Sequence, residues 1–243
     1  TTVCAQEIAE PSIFDVMGHT EMLNLTIKTE VDSLIEYRRS AAKYQSVLSF
    51  EDQEGQTQSF DIKITVRGVF RRMRCSGIPP LKLNFKKKAL TRTGLAKFDD
   101  YKLVTYCIDD KSDAKALLLK EFLAYKLYND LTDESYRVQL LNITFKDSAT
   151  GKKTKQWGVS IEETAELRNR IGAEKAKETR NVAFEKFNQD QIRQVGLFQY
   201  LIGNSDWDLT VSRNVKYINK NGQYLAIPYD FDFSGLVNAP YAI

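Results

Sequence analysis

The sequence predicts an α+β fold in two parts, strand-rich first and helical second, on three observations. Upstream of Val69, apolar residues alternate with polar ones at the two-residue period of half-buried strands. Between Asp113 and Asn129 they switch to helical spacing. After Glu163 a charged helical stretch, an amphipathic helix and a polar loop lead into a hairpin. The chain has 243 residues, 42% of them hydrophobic and 28% charged. That content supports a sizeable core and excludes disordered and collagen-like classes. No apolar run approaches the roughly 20 residues that span a bilayer.

Leu23, Leu25 and Ile27 mark a strand from Met22 to Thr29, and residues 31–44 read as a charged helix or turn region. Strands at 46–50 and 59–69 flank the Glu54-Gly55 turn, a hairpin pattern. After the turn at Gly77 to Pro80, Leu81, Leu83 and Phe85 alternate with Lys82, Asn84 and Lys86, and a further strand runs over 101–108. Asp113 is placed to cap a helix over 113–129, whose Ala114, Leu117, Leu118, Phe122, Tyr125 and Tyr128 share one face. Strands follow at 136–145 and 157–161, then an exposed helical stretch over 163–179 and a second helix over 188–202. Strands at 215–219 and 224–230 enclose the Lys220-Asn221-Gly222 turn. The expected division is residues 6–162 for the strand-rich part and 163–243 for the second part.

Val3 and Ala5 occupy the small-residue positions before a signal-peptidase cut, so residues 1–5 read as the remnant of a secretory signal and the protein as exported. In such a compartment Cys75 and Cys107 could pair. The final apolar run, with no closing helix or polar tail, reads as the end of a fragment. One histidine and three cysteines without a CxxC pair exclude His-rich and zinc-ribbon sites.

Eleven of the 35 basic residues, and none of the 32 acids, fall between Ile62 and Phe98. Such segregation suits an anionic partner. Only Phe70 and Phe85 interleave before Phe98, too few for base stacking, so no nucleic-acid partner is expected.

Chemistry concentrates near the end of the chain. A loop after the second helix presents Asn204, Asp206 and Asp208, and Asn214 opens the next strand. If the last strand continues through Asp230 and Asp232, both carboxylates share one face. Two carboxylates beside an Asn oxygen suit Mg²⁺ or Mn²⁺, with Asp206 placed to orient a hydroxyl nucleophile. Such an inventory is what phosphoryl transfer needs. Glu121, beside the apolar stripe of the first helix, calls for a cation: Lys82 is the first choice and Lys102 its competitor. The Trp157-to-Glu163 segment, with Glu162, reads as a connector whose backbone could pair an adenine edge. Walker A and ordinary kinase glycine-loop patterns are absent.

At these residues the chain resembles the CotH-type (spore-coat protein H) family of atypical protein kinases. The carriers are Val66-Arg67-Gly68, Pro80 to Leu83, Asp110 leading into the Glu121 helix, Glu162-Glu163, Gly203 to Asp206 with Asn214, and Pro228-Tyr-Asp-Phe-Asp232. The resemblance implies a two-lobed protein-kinase-like fold, with a strand-rich N-lobe, one inserted helix and a truncated helical C-lobe. It implies transfer of the ATP γ-phosphate to Ser or Thr of a secreted or surface protein. Asp206 looks like the catalytic base, Asn214 and Asp230 like metal ligands with Asp232 as alternative, Lys82 and Glu121 like the phosphate-orienting pair, and Arg67 like a phosphate contact. Asp206 and Asn214 are eight positions apart where ordinary kinases have five, which leaves Asp208 as an alternative base. The competing readings are a non-catalytic, pseudokinase-like envelope binding protein and nucleotide-dependent transfer of AMP or glutamate.

Overall fold

In the computed structural model, residues 10–68, 73, 77–106, 108 and 110–242 are described. Seven strands close on themselves: β1 (Met22–Thr29), β2 (Lys43–Glu51), β3 (Thr57–Val66), β4 (Leu81–Phe85), β5 (Asp100–Val104), β6 (Val138–Asp147) and β7 (Lys153–Ile161). Their order around the barrel is β1-β2-β3-β4-β5-β7-β6. Neighbours are antiparallel except β1 and β6, whose parallel pairing from Met22↔Leu140 to Thr29↔Asp147 seals the ring. Alternation sends Leu25, Ile27, Leu48, Ile62, Ile64, Leu83, Tyr101, Leu103 and Ile143 inward, where they form one core with α1 (Ile13–Met17), α2 (Val31–Glu36) and α3 (Lys87–Arg92).

The closed barrel overturns the expectation of a two-lobed, kinase-like fold with a truncated helical second part. The described chain is 28% helix and 33% strand. Its last third carries a three-stranded antiparallel sheet, β10-β9-β8, built from β8 (Glu174–Lys175), β9 (Val215–Lys220) and β10 (Gln223–Pro228). Closure depends on β1 meeting β6 across the whole first half of the chain, and local periodicity carries no trace of such a pairing.

Between β5 and β6 the chain makes its longest helix, α4 (Lys111–Leu131). Asp110 rather than Asp113 is its N-cap, accepting from the Ser112 and Asp113 amides. Leu117, Leu118, Ala124, Tyr125 and Tyr128 bury themselves in a second core with the outward-facing Val104, Val159 and Ile161 of β5 and β7. The same core takes in Val195 and Phe198 of α6 (Gln189–Leu201), capped by Asn188, and Ile227 and Phe231 beyond. The stretch expected to be helical over 163–179 forms only α5 (Thr164–Arg170), and its Glu166 is buried rather than exposed.

Gly158 of β7 is packed directly against the barrel core. A Cβ there would lie 2.8 Å from Ile143 Cδ1 and from Leu103 Cδ1, and 3.2 Å from the Val104 carbonyl. Gly158→Ala should therefore destabilise by about 1–3 kcal/mol, the usual cost of overpacking. Urea denaturation measures it, and an unchanged midpoint would mean that the barrel wall yields freely.

The proposed signal remnant (residues 1–5), Cys75 and Cys107, and Arg71, Arg72 and Arg74 of the basic stretch lie outside the described residues. Among the described residues no helix is long and apolar enough to cross a membrane.

Candidate functional site

The segment after α6 turns at Gly203, whose φ of +63° lies in the left-handed region that favours glycine. Asn204 is buried and holds the turn: its Nδ2 donates to Gln199 Oε1 at 2.9 Å, and its Oδ1 accepts from the Asp206 amide at 3.1 Å. Asp206 is thereby presented at the start of the loop, half-buried. The Asn214 side chain meets it, Nδ2 donating to the Asp206 carbonyl at 2.7 Å and to Asp206 Oδ2 at 2.9 Å. The eight-residue spacing closes through a local turn: Asp208 and Arg213 exchange backbone hydrogen bonds, and Asp208 Oδ1 accepts from the Val211 amide. The Val211 amide, with that of Thr210, also holds the Asp208 carboxyl below the usual carboxylate range. Asp208 is a turn former.

Asn214 immediately precedes β9. The β9–β10 ladder ends at Val215↔Pro228, and the Tyr229 amide then donates to the Asn214 carbonyl at 2.9 Å. Asp230 follows at the same end of the hairpin. It does not continue the strand: its φ is +64°, so the expected alternation of Asp230 and Asp232 on one face is broken. Asp232 is buried instead and accepts from the Tyr241 hydroxyl at 3.0 Å. Asn214 also sits in the left-handed region, at φ +50°. Asn and Asp tolerate this region better than other side-chain-bearing residues, so both turns form without a glycine.

The barrel side of the site comes from α4 and β5. Glu121 and Tyr125, one helical turn apart, both face inward. The Tyr125 hydroxyl accepts from the Asp230 amide at 2.8 Å, and Glu121, 1% exposed, accepts from the Tyr106 hydroxyl at 2.8 Å. Burial, Glu121 and Asp230 together drive the Tyr125 hydroxyl well above its ordinary pKa. On β5, Lys102 extends over the Tyr229 ring with Nζ 4.2 Å from its centroid, and 5.4 Å from that of Tyr136. This nitrogen is buried and has no hydrogen-bond partner among the described residues. Burial pulls the Lys102 pKa down to about 7, with Arg67 and Lys216 pushing the same way and Asp230 opposing them.

Lys82, expected to reach Glu121, points elsewhere. Its side chain is 48% exposed and its Nζ lies 2.6 Å from Asp100. Lys102 lies directly across the ladder from Lys82, and periodicity alone does not say which of the two faces α4. The Glu162 carboxylate is also committed. It receives Arg137 Nε at 2.8 Å, Arg170 Nε at 2.9 Å and the Arg137 amide at 3.0 Å, a network that fastens β7 to β6 and α5. Arg67 is close enough to the site to influence Lys102, Tyr125 and Tyr229. Tyr125 and Tyr229 border the candidate site through the Asp230 amide and the Lys102 nitrogen, and the sequence reading gave neither a place in it; an aromatic on an apolar helix stripe is indistinguishable from ordinary packing.

Part of the basic stretch is neutralised at home: Lys82 pairs with Asp100, Lys86 with Asp61 and Lys87 with Asp99. A polyanion-binding face therefore has fewer free cations than the sequence suggests.

Among the described residues no group of three or more His, Cys, Asp or Glu side chains could hold a metal ion alone. The donor set present suits a different arrangement. Because Asn214 Nδ2 is turned to Asp206, its Oδ1 is directed away, at the hairpin end that also carries Asp230. One amide oxygen and one carboxylate, completed by phosphate oxygens and water, are a usual complement for Mg²⁺ or Mn²⁺. No protein-family model matches the chain, and no curated protein matches it at a significant level.

Proposed function

We propose that this chain is a phosphotransferase that passes the γ-phosphate of ATP to a Ser or Thr hydroxyl of a secreted or surface protein. The observation that carries the reading is the buried Lys102 ammonium, without a hydrogen-bond partner among the described residues and within electrostatic reach of Asp230, which follows the same hairpin end as the hydrogen-bonded Asp206–Asn214 pair. A buried cation without a partner is costly unless an anion completes it, and a nucleotide phosphate is that anion.

In this reading Lys102 holds the phosphate oxygens by charge. Asn214 Oδ1 and the Asp230 carboxylate would hold the divalent ion, which would neutralise charge on the phosphates. Glu121, anchored by Tyr106, and Tyr125, bonded to the Asp230 amide, fix the lysine and aspartate surroundings. The Asp206 carboxylate accepts the proton of the acceptor hydroxyl as the new O–P bond forms. The bond between the γ-phosphorus and its bridging oxygen breaks, and ADP leaves.

The test is incubation of the chain with labelled ATP and Mn²⁺, followed by a search for label on itself and on candidate acceptor proteins. In parallel, Mn²⁺–ATP should raise the thermal midpoint of the native chain and lose at least tenfold in affinity for Asp230→Asn. Asparagine tolerates the left-handed backbone at 230, so that variant keeps the fold. Unchanged affinity would remove Asp230 from the metal site. Absence of both label and nucleotide stabilisation would end the proposal.

A further inference from the structure

A cavity lies where the N-terminal part of α4 meets β7, bordered by Tyr106. Its volume is about 290 Å³, at the small end of ligand pockets. Ile78, Tyr106, Ile108 and Leu118 form much of its apolar wall, with Trp157 of β7 on one flank and Ala114 of α4 on the other. Three lysines, Lys111, Lys115 and Lys155, stand around it, all exposed. Among the described residues none of the three has a carboxylate within 4.0 Å; Lys115 instead rests its Nζ 4.5 Å from the centroid of the Trp157 ring. The nearby Asp110 carboxylate is spent on capping α4.

An apolar interior with a cationic rim has one complement, a ligand with an apolar body and an anionic head. We infer that this cavity binds a small amphiphilic monoanion, such as a short aliphatic or aromatic carboxylic acid, with its hydrocarbon against Leu118 and Trp157 and its carboxylate among Lys111, Lys115 and Lys155. The apolar wall supplies most of the affinity through burial, and the lysines select the charged head. The inference does not rest on phosphoryl transfer: the two sites share only the Tyr106 side chain, whose hydroxyl bonds Glu121, and the variants below leave Tyr106 in place.

Trp157 is a built-in reporter, and Trp207 is the one other tryptophan. In a Trp207→Phe background, octanoate should shift the Trp157 emission saturably, and octanol should bind about tenfold more weakly. The triple variant Lys111→Ser, Lys115→Ser, Lys155→Ser should lose octanoate affinity by about tenfold while keeping that for octanol. Its lysines are exposed, so it should unfold at the native midpoint. Ala114→Phe, which fills the cavity, should abolish both. The inference fails if octanoate gives no saturable shift, if octanol binds as tightly as octanoate, or if the triple variant binds octanoate like the native chain.

Discussion

Asp206→Ala should slow phosphoryl transfer by about 10²–10⁴-fold, the usual contribution of a positioned base, and leave Mn²⁺–ATP affinity nearly unchanged. The geometry separates the two effects. Asn214 Nδ2 keeps its 2.7 Å bond to the Asp206 main-chain carbonyl when the carboxylate is removed, so the metal-facing oxygen of Asn214 stays where it is. Asn204 also keeps its grip on the 206 amide. Asp208→Ala is the matched control: it deletes the acceptor of the Val211 amide and should loosen the turn with little effect on the chemical step. Single-turnover rates, read beside nucleotide-induced thermal shifts, distinguish the outcomes. Equal loss of rate in the two variants, or loss of nucleotide binding in Asp206→Ala, would show that Asp206 shapes the loop and is not the base.

What the sequence made legible follows the range of the interactions concerned. Strand alternation in β1 to β4 and the α4 stripe are written within a few residues, and each was readable. The barrel was not, because its closing contacts, Leu25↔Ile143 among them, join segments that carry no mutual signal. The same limit divided the site. Asp206 and Asn214 are near in sequence and bond directly, whereas Lys82 and Lys102 are cross-strand partners on one face of the sheet, and choosing between them requires knowing which of the two strands the outer core covers. Asp232 was misplaced for a local reason: the left-handed turn at Asp230 reverses the expected alternation, and Asp tolerates that conformation without the glycine that would have announced it.

The Lys102 assignment carries the other large effect. Lys102→Met should cut transfer at least 100-fold, as expected when a preorganised charge on the transferring phosphate is lost. Lys82→Met, which loses only an exposed pair with Asp100, should stay within about threefold of the native rate. The same variant reports on stability. In the folded chain Lys102 titrates near 7, while an unfolded lysine titrates near 10.4. Between those values the unfolded chain carries a proton that the folded chain lacks, so native stability rises with pH, by up to about 1.4 kcal/mol per unit. The cost of the buried charge is fully present below pH 7 and relieved above pH 10. Methionine keeps the apolar stem over Tyr229 without the charge, so Lys102→Met should be the more stable protein at pH 6, with the advantage shrinking towards pH 10. Urea denaturation across that range measures the difference. A constant gap would mean that the Lys102 nitrogen stays charged and solvated in the folded chain, and Lys102 would then lose its place as the cation that awaits a phosphate.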